Sequence, residues 1–157
     1  MLQIHVALSL IGIVSGFVVL YGLLIGRSLG GWTALFLATT ILTSVTGFPL
    51  APFGFDPPRT VAVISLVLLA LAVAALYMFR LAGAWRWVYV GGAIAALYLN
   101  VFVAVVQAFQ KLPFLQPLAP TQSEPPFLVA QVAVLAIFIA LGILAAIRFH
   151  PELEAGA

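Results

Sequence analysis

Five long stretches of the chain contain no charged side chain, and this feature constrains the fold more than any other. They cover residues 4–25, 32–50, 60–79, 87–110 and 127–147, and all ten Lys, Arg, Asp and Glu residues fall outside them. A helix that crosses the hydrocarbon core of a bilayer needs about 20 consecutive, mostly apolar residues. The pattern therefore predicts an all-α protein, a polytopic helical transmembrane bundle with about five spans.

Composition supports the same fold class. Hydrophobic residues make up 65% of the chain and charged residues 6%, whereas about 25% of the residues in an ordinary soluble domain are charged. A soluble fold of 157 residues could not hide so much apolar surface. We expect residues 1–157 to form a single transmembrane domain surrounded by the lipid bilayer.

The second stretch, residues 32–50, is the least regular of the five. Hydroxyl side chains dilute its hydrophobicity, and Gly47 and Pro49 shorten its regular part. The hydroxyl residues are Thr39, Thr40, Thr43, Ser44 and Thr46. The sequence leaves open whether this segment crosses fully or is tilted, kinked or partly re-entrant.

The distribution of basic residues predicts the orientation in the membrane. Five spans put the termini on opposite sides, so the loops form two sets that can be compared. One set, with the C-terminal tail 148–157, carries four basic residues and the other carries two: Arg27, Arg80, Arg86 and Arg148 against Arg59 and Lys111. Because cytoplasmic loops are enriched in Lys and Arg, we expect the N-terminus outside and the C-terminus in the cytoplasm of a bacterial inner membrane.

A ten-residue motif occurs twice, as PLAPFGFDPP from Pro49 and as PLAPTQSEPP from Pro117. It falls in the two proline-rich outer loops, residues 51–59 and 111–126. One interpretation is helix punctuation, in which Pro ends a helix and an acid before Pro-Pro begins the next, with Asp56 or Ser123 and Glu124 accepting from the first N–H groups. The other is a lid or docking surface. The spacing also predicts a tandem parallel repeat of helical hairpins, helices 2–3 and 4–5.

Uncharged polar side chains inside the stretches are the candidate ligand-binding residues. They are His5, Ser9, Thr43, Asn100, Gln107 and Gln131. Asn100 and Gln107 are seven residues apart and are expected to share a helix face. These groups either join helices by hydrogen bonds or line an outward pocket for a lipid-soluble ligand such as a quinone, with His5 and Gln107 as donors.

Catalysis is not expected. The absence of charge within the stretches argues against a proton-coupled antiporter, an ion pump or a voltage sensor. The chain has no cysteine, no zinc-binding spacing, no nucleophile elbow and no Walker loop, so we predict no catalytic residues and no metal site. The basic residues are scattered singly, which makes nucleic acid an unexpected partner.

The cofactor question stays open between a quinone, a haem and none. His5 and His150 lie at opposite ends of the predicted bundle, so one subunit cannot use both to bind one haem. A haem held by two copies of His5 across a dimer axis is the least favoured arrangement.

Three functions remain after these exclusions. The first is a non-enzymatic subunit or lipophilic-ligand-binding module of a membrane complex, formed as a homo-oligomer or with other membrane subunits. The second is a channel or transporter for a small neutral solute, lined by Asn100, Gln107 and the hydroxyls of the second stretch. The third is a haem- or quinone-dependent redox protein.

Small residues, notably Gly12 with Gly16 and Gly91 with Gly92, predict close helix packing.

Overall fold

A helix forms in each of the five charge-free stretches, because a helix satisfies the backbone hydrogen bonds of an apolar stretch internally. The computed structural model describes residues 1–50 and 57–150. These residues form α1 (Leu2–Leu24), α2 (Gly30–Gly47), α3 (Pro57–Val73), α4 (Trp85–Lys111) and α5 (Pro125–Arg148), and α3 continues as a π-helical turn, Ala74–Met78. When the π-helical turn is counted with α3, the helix ends lie within three residues of the predicted stretches. The all-α prediction is confirmed.

Four helices in the described part of the chain are long and apolar enough to cross a membrane: α1, α3 with its π-helical turn, α4 and α5. The helix α2 is not among them, because its hydroxyl side chains lower its hydropathy. The prediction of about five spans is therefore supported for four helices. Large apolar side chains also cover the outer surface, for example Ile4 at 62% and Val132 at 65% exposure. These features indicate an integral membrane protein.

The helix α4 lies at the centre of the bundle. It packs against α1, α2, α3 and α5, while α1 also packs along α2 and touches α5. Small buried residues such as Ala93 and Ala96 let the neighbouring helices approach α4 closely. Tyr89 and Leu97 extend the same buried face.

The helix connections gather at two ends of the bundle, which we call the arginine end and the proline end. The arginine end holds the loops 25–29 and 79–84 and the last turn of α5. Its basic residues are Arg27, Arg80, Arg86 and Arg148. There α1 ends at Leu24 with Ile25 as its C-cap, and the next residue, Gly26, has a φ of 76° that favours glycine. The N–H of Arg27 bonds back to the carbonyl of Gly22 at 2.8 Å.

The proline end carries the two copies of the repeated motif, and their described parts have the same local structure. Each copy begins with a 3-10 turn, Phe48–Leu50 in the first and Gln116–Leu118 in the second. The following helices start at Pro57 and Pro125, the equivalent positions. Asp56 lies outside the described residues. The repeat of whole helical hairpins stays a prediction, since α2 has 18 residues and α4 has 27.

The predicted capping role of Glu124 is wrong. Glu124 occupies the N-cap position of α5 but makes no side-chain capping bond, because Pro125 and Pro126 have no N–H and the N–H of Phe127 bonds to the backbone carbonyl of Glu124. The carboxylate instead accepts from the hydroxyl of Thr121 at 2.7 Å and from two backbone N–H groups, those of Thr121 and Ser123, at 3.1 Å. The Thr121 hydroxyl, with these N–H groups, lowers the pKa of Glu124.

Candidate functional site

The hydroxyl-rich face of α2 packs against α1 and α4 along a line that we call the polar seam: Gly12, Thr39, Thr40, Thr43 and Asn100. Asn100 is buried and donates to the hydroxyl oxygen of Thr40 at 3.3 Å. Gly12 lies so close that a Cβ placed there would be 3.1 Å from the Thr40 oxygen and 3.3 Å from that of Thr39. The polar seam is a packed helix interface.

Most hydroxyl protons of α2 are used within the helix. Thr39 donates to the carbonyl of Leu35 at 2.7 Å, Thr43 to that of Thr39 at 2.8 Å, and Ser44 to that of Thr40 at 3.0 Å. Such bonds to the carbonyl four residues earlier satisfy a hydroxyl in an apolar environment. The hydroxyl of the predicted ligand residue Thr43 therefore donates to a backbone carbonyl of its own helix.

His5 meets α2 at the proline end, where its ring lies within hydrogen-bond distance of Thr46. The ring Nδ1 lies 3.0 Å from the hydroxyl oxygen of Thr46, and Thr46 donates its single proton to the carbonyl of Leu42 at 2.7 Å. The pair His5 and Thr46 therefore joins α1 to α2 at this end of the bundle. Ser9 lies half-buried one turn further along α1.

The two glutamines lie apart from these groups. Gln131 is buried on α5 and donates through Nε2 to the carbonyl of Phe102 at 3.2 Å, while its Oε1 has no partner among the described residues. Gln107 is exposed although Asn100, two turns earlier, is buried. The structure brings His5 and Thr43 near each other, but it does not bring the six predicted residues into one cavity.

A second feature is an apolar groove of about 430 Å³ between α4 and α5 in the half of the bundle nearer the arginine end. Residues of α4 form one wall: Trp87, Val90, Gly91, Ile94, Ala95 and Tyr98. Residues of α5 form the other: Leu135, Phe138, Ile139, Gly142, Ile143 and Ala146. The groove is open to the outer surface, because Trp87, Ile139 and Ile143 are each more than half exposed.

The size of the facing side chains decides where α4 and α5 separate. At the proline end Phe109 and Phe127 meet edge to face with ring centroids 5.5 Å apart, which closes the interface. Nearer the arginine end Gly91 and Gly142 face the gap. A Cβ at Gly91 would meet nothing within 4 Å, and one at Gly142 would make ordinary contact with Ile94 at 3.6 Å.

Arg86 stands at the arginine end of the groove. Its Nη1 donates to two carbonyl oxygens at the end of α5, those of Ala146 at 2.9 Å and Phe149 at 2.6 Å. Its guanidinium carbon lies 4.1 Å from the centroid of the Trp87 ring. The apolar groove therefore ends beside a fixed positive charge.

Sequence reasoning did not identify this groove. Gly91 with Gly92 predicts close helix packing, but a small residue is compatible both with close packing and with an open gap between helices. Among the described residues no three His, Cys, Asp or Glu side chains lie close enough to hold a metal ion. No protein-family model, curated protein or solved structure matches the chain.

Proposed function

We propose that this protein is a non-enzymatic integral membrane subunit that binds a lipophilic ligand in the groove between α4 and α5. The observation that carries the proposal is the groove itself, an apolar hollow of about 430 Å³ on the outer surface of the bundle. Binding sites for small molecules usually have volumes of about 300 to 1,000 Å³.

The chemistry of the walls fits a long apolar molecule. From Trp87 to Tyr98 the groove follows α4 for about 16 Å, and its lining side chains are aliphatic or aromatic apart from the Tyr98 hydroxyl and the Trp87 indole N–H. A ligand reaches an outward-facing groove from the hydrocarbon phase without crossing water. A hydrocarbon chain or an isoprenoid tail has this shape and polarity.

A passage for a small neutral solute is the weaker alternative. Of the groups that would line such a path, Asn100 and Thr40 bond to each other and Thr43 bonds to its own backbone, while Gln107 is exposed and lies apart from them. Further along α1, a Cβ at Gly16 would lie 2.5 Å from the Leu97 side chain. These contacts favour helix association over transport.

We propose an orientation from the distribution of the arginines, with the arginine end on the cytoplasmic side of a bacterial inner membrane. The chain has no cysteine, so a single cysteine introduced at Ala84, an exposed residue of an arginine-end loop with a φ of −68°, provides a clean test. We expect a membrane-impermeant maleimide to label it in inverted vesicles and not in intact cells. The reverse pattern would place the N-terminus inside.

The test of ligand binding fills the groove. Gly91→Phe adds a ring where a Cβ meets no neighbour, so the variant is expected to fold and to exclude the ligand. Native mass spectrometry of protein released from mild detergent should show a discrete adduct on the wild type and its loss in Gly91→Phe. An absorption spectrum of the same samples identifies a quinone or haem adduct.

The matched control is Gly31→Phe, which also places a ring at a glycine with open surroundings but lies at the start of α2, away from the groove. It should retain the adduct. Equal adducts in the wild type and both variants would contradict the proposed site, and so would a wild type without any adduct.

A further inference from the structure

The positive charge of Arg86 lies at one end of the groove, although a purely apolar ligand would make no use of a charge. We propose that the groove holds one acyl chain of an anionic phospholipid, drawn from the leaflet at the arginine end, with the lipid phosphate bound to Arg86. This inference rests on the proposed function and adds the headgroup chemistry to it.

The guanidinium of Arg86 has free donors in a fixed position. Both bonds to the end of α5 use Nη1, so Nη2 and Nε have no hydrogen-bond partner among the described residues. The Trp87 ring holds the guanidinium plane from one side. Planar, oriented N–H groups bind phosphate oxygens in pairs, which makes such an arginine a good phosphate ligand.

No carboxylate in the described part of the chain neutralises this arginine. Glu124 is the one acidic residue among the described residues, and it lies at the proline end. The α5 carbonyls that bind Arg86 carry only partial charges. A full positive charge at the mouth of an apolar groove is complementary to a molecule with an anionic head and a hydrocarbon tail.

The length of the groove matches one leaflet. Its extent of about 16 Å along α4 is half of a hydrocarbon core of about 30 Å. Trp87 lies at the charged end, as expected for an aromatic side chain at the membrane interface. A lipid whose phosphate reaches Arg86 would therefore place a full acyl chain between Gly91 and Gly142.

The experiment measures headgroup preference. Purified full-length protein is exchanged into mild detergent with equal amounts of phosphatidylglycerol and phosphatidylcholine of the same acyl chains, and native mass spectrometry gives the ratio of the two adducts. We expect the wild type to favour phosphatidylglycerol. Loss of a charge-assisted hydrogen bond in Arg86→Gln should lower that ratio about tenfold.

The matched control is Arg148→Gln. Arg148 has the same charge and lies at the same end, but it reaches the carbonyl of Leu24 on α1 at 3.5 Å. Its ratio should stay near that of the wild type. An equal fall in both variants would reduce the effect to general surface charge and overturn the proposal.

The outcomes separate the two proposals. If Gly91→Phe removes both lipids while the wild type shows no headgroup preference, the groove binds lipid and the Arg86 site is wrong. If Gly91→Phe changes neither adduct, the groove itself is wrong. Should Arg86→Gln fail to fold, the wild type alone still decides, because a preference due to Arg86 must fall when salt is raised, and a salt-independent ratio overturns it.

Discussion

Two adjacent glycines on α4 face opposite kinds of surroundings. A Cβ at Gly92 would lie 3.0 Å from the backbone carbonyl oxygen of Leu68, whereas a Cβ at Gly91 would meet no atom within 4 Å. The same residue type therefore serves a tight helix crossing on one side of α4 and an open groove on the other. Small residues in a membrane helix indicate that space is needed, and the neighbouring helix decides whether that space is filled.

The two sides of α4 also differ in polarity. Towards α1 and α2, α4 presents Asn100, which bonds to Thr40. Towards α5, near the arginine end, it presents Gly91, Ala95 and other apolar residues. Interhelical hydrogen bonds give the first side a defined register, while the second side can accept a molecule without losing any bond. This difference supports the proposal that one side of α4 holds the bundle together and the other side binds a ligand.

The largest expected effect breaks the packed side. Gly92→Leu pushes a side chain against the backbone of α3, which cannot move away cheaply, and should lower the free energy of unfolding by about 3 kcal/mol. Gly91→Leu, one residue away, should change it little. The measurement is the unfolding midpoint of detergent-solubilised protein titrated with a denaturing detergent, followed by circular dichroism. Equal midpoints for the two variants would erase the difference between the two sides.

A smaller effect tests the polar contact on the side of α4 that faces α1 and α2. Asn100→Leu, Thr40→Val and the double variant form a cycle whose coupling energy isolates the hydrogen bond. We expect a coupling of about 1 kcal/mol, within the range measured for hydrogen bonds between membrane helices. Strictly additive single effects would mean that the 3.3 Å contact contributes nothing and that shape alone fixes the register.

The smallest effect concerns the loop between α4 and α5 at the proline end, where Glu124 lies. The folded-state pKa of Glu124 is lowered, so the hydrogen bonds of its carboxylate stabilise the loop between α4 and α5 fully above the ordinary glutamate pKa of about 4.3. This stabilisation is lost as the pH falls through the lower, folded-state pKa. Amide hydrogen exchange at Thr121 and Ser123, corrected for intrinsic rates, should quicken in that acidic range. Glu124→Gln should remove the pH dependence, and an unchanged dependence would assign it elsewhere.

Much of the fold was predictable because charge and proline mark helix ends with few alternatives. Arg27, Arg80 and Lys111 lie just beyond helices or at their last residue, and Pro57 and Pro125 begin the helices that the Pro-Pro pairs predicted. The segment predicted to be the least regular, α2, is also the one of the five helices that is not apolar enough to count as a membrane span. Helix existence depends on local sequence, which explains this success.

The candidate site was less predictable, because it depends on which helix packs against each face of α4 and on how much of the length of α4 that helix covers. Periodicity placed Asn100 and Gln107 on one face, yet Asn100 is buried and Gln107 is exposed. Periodicity defines a direction around the helix axis and says nothing about where along it a neighbour packs. Arg86 was counted only for orientation, since its bonds to Ala146 and Phe149 join residues about 60 positions apart.

The local hydrogen bonds of α2 affect how the chain can be assembled during its synthesis. Thr33, Thr39 and Thr43 each donate to the carbonyl four residues earlier, so these bonds are complete as soon as the helix itself exists. Thr40, in contrast, receives its donor from Asn100, which the ribosome adds 60 residues later. The helix α2 can thus leave water before α3 and α4 have been made, and its register against α4 is set only when α4 has been synthesised.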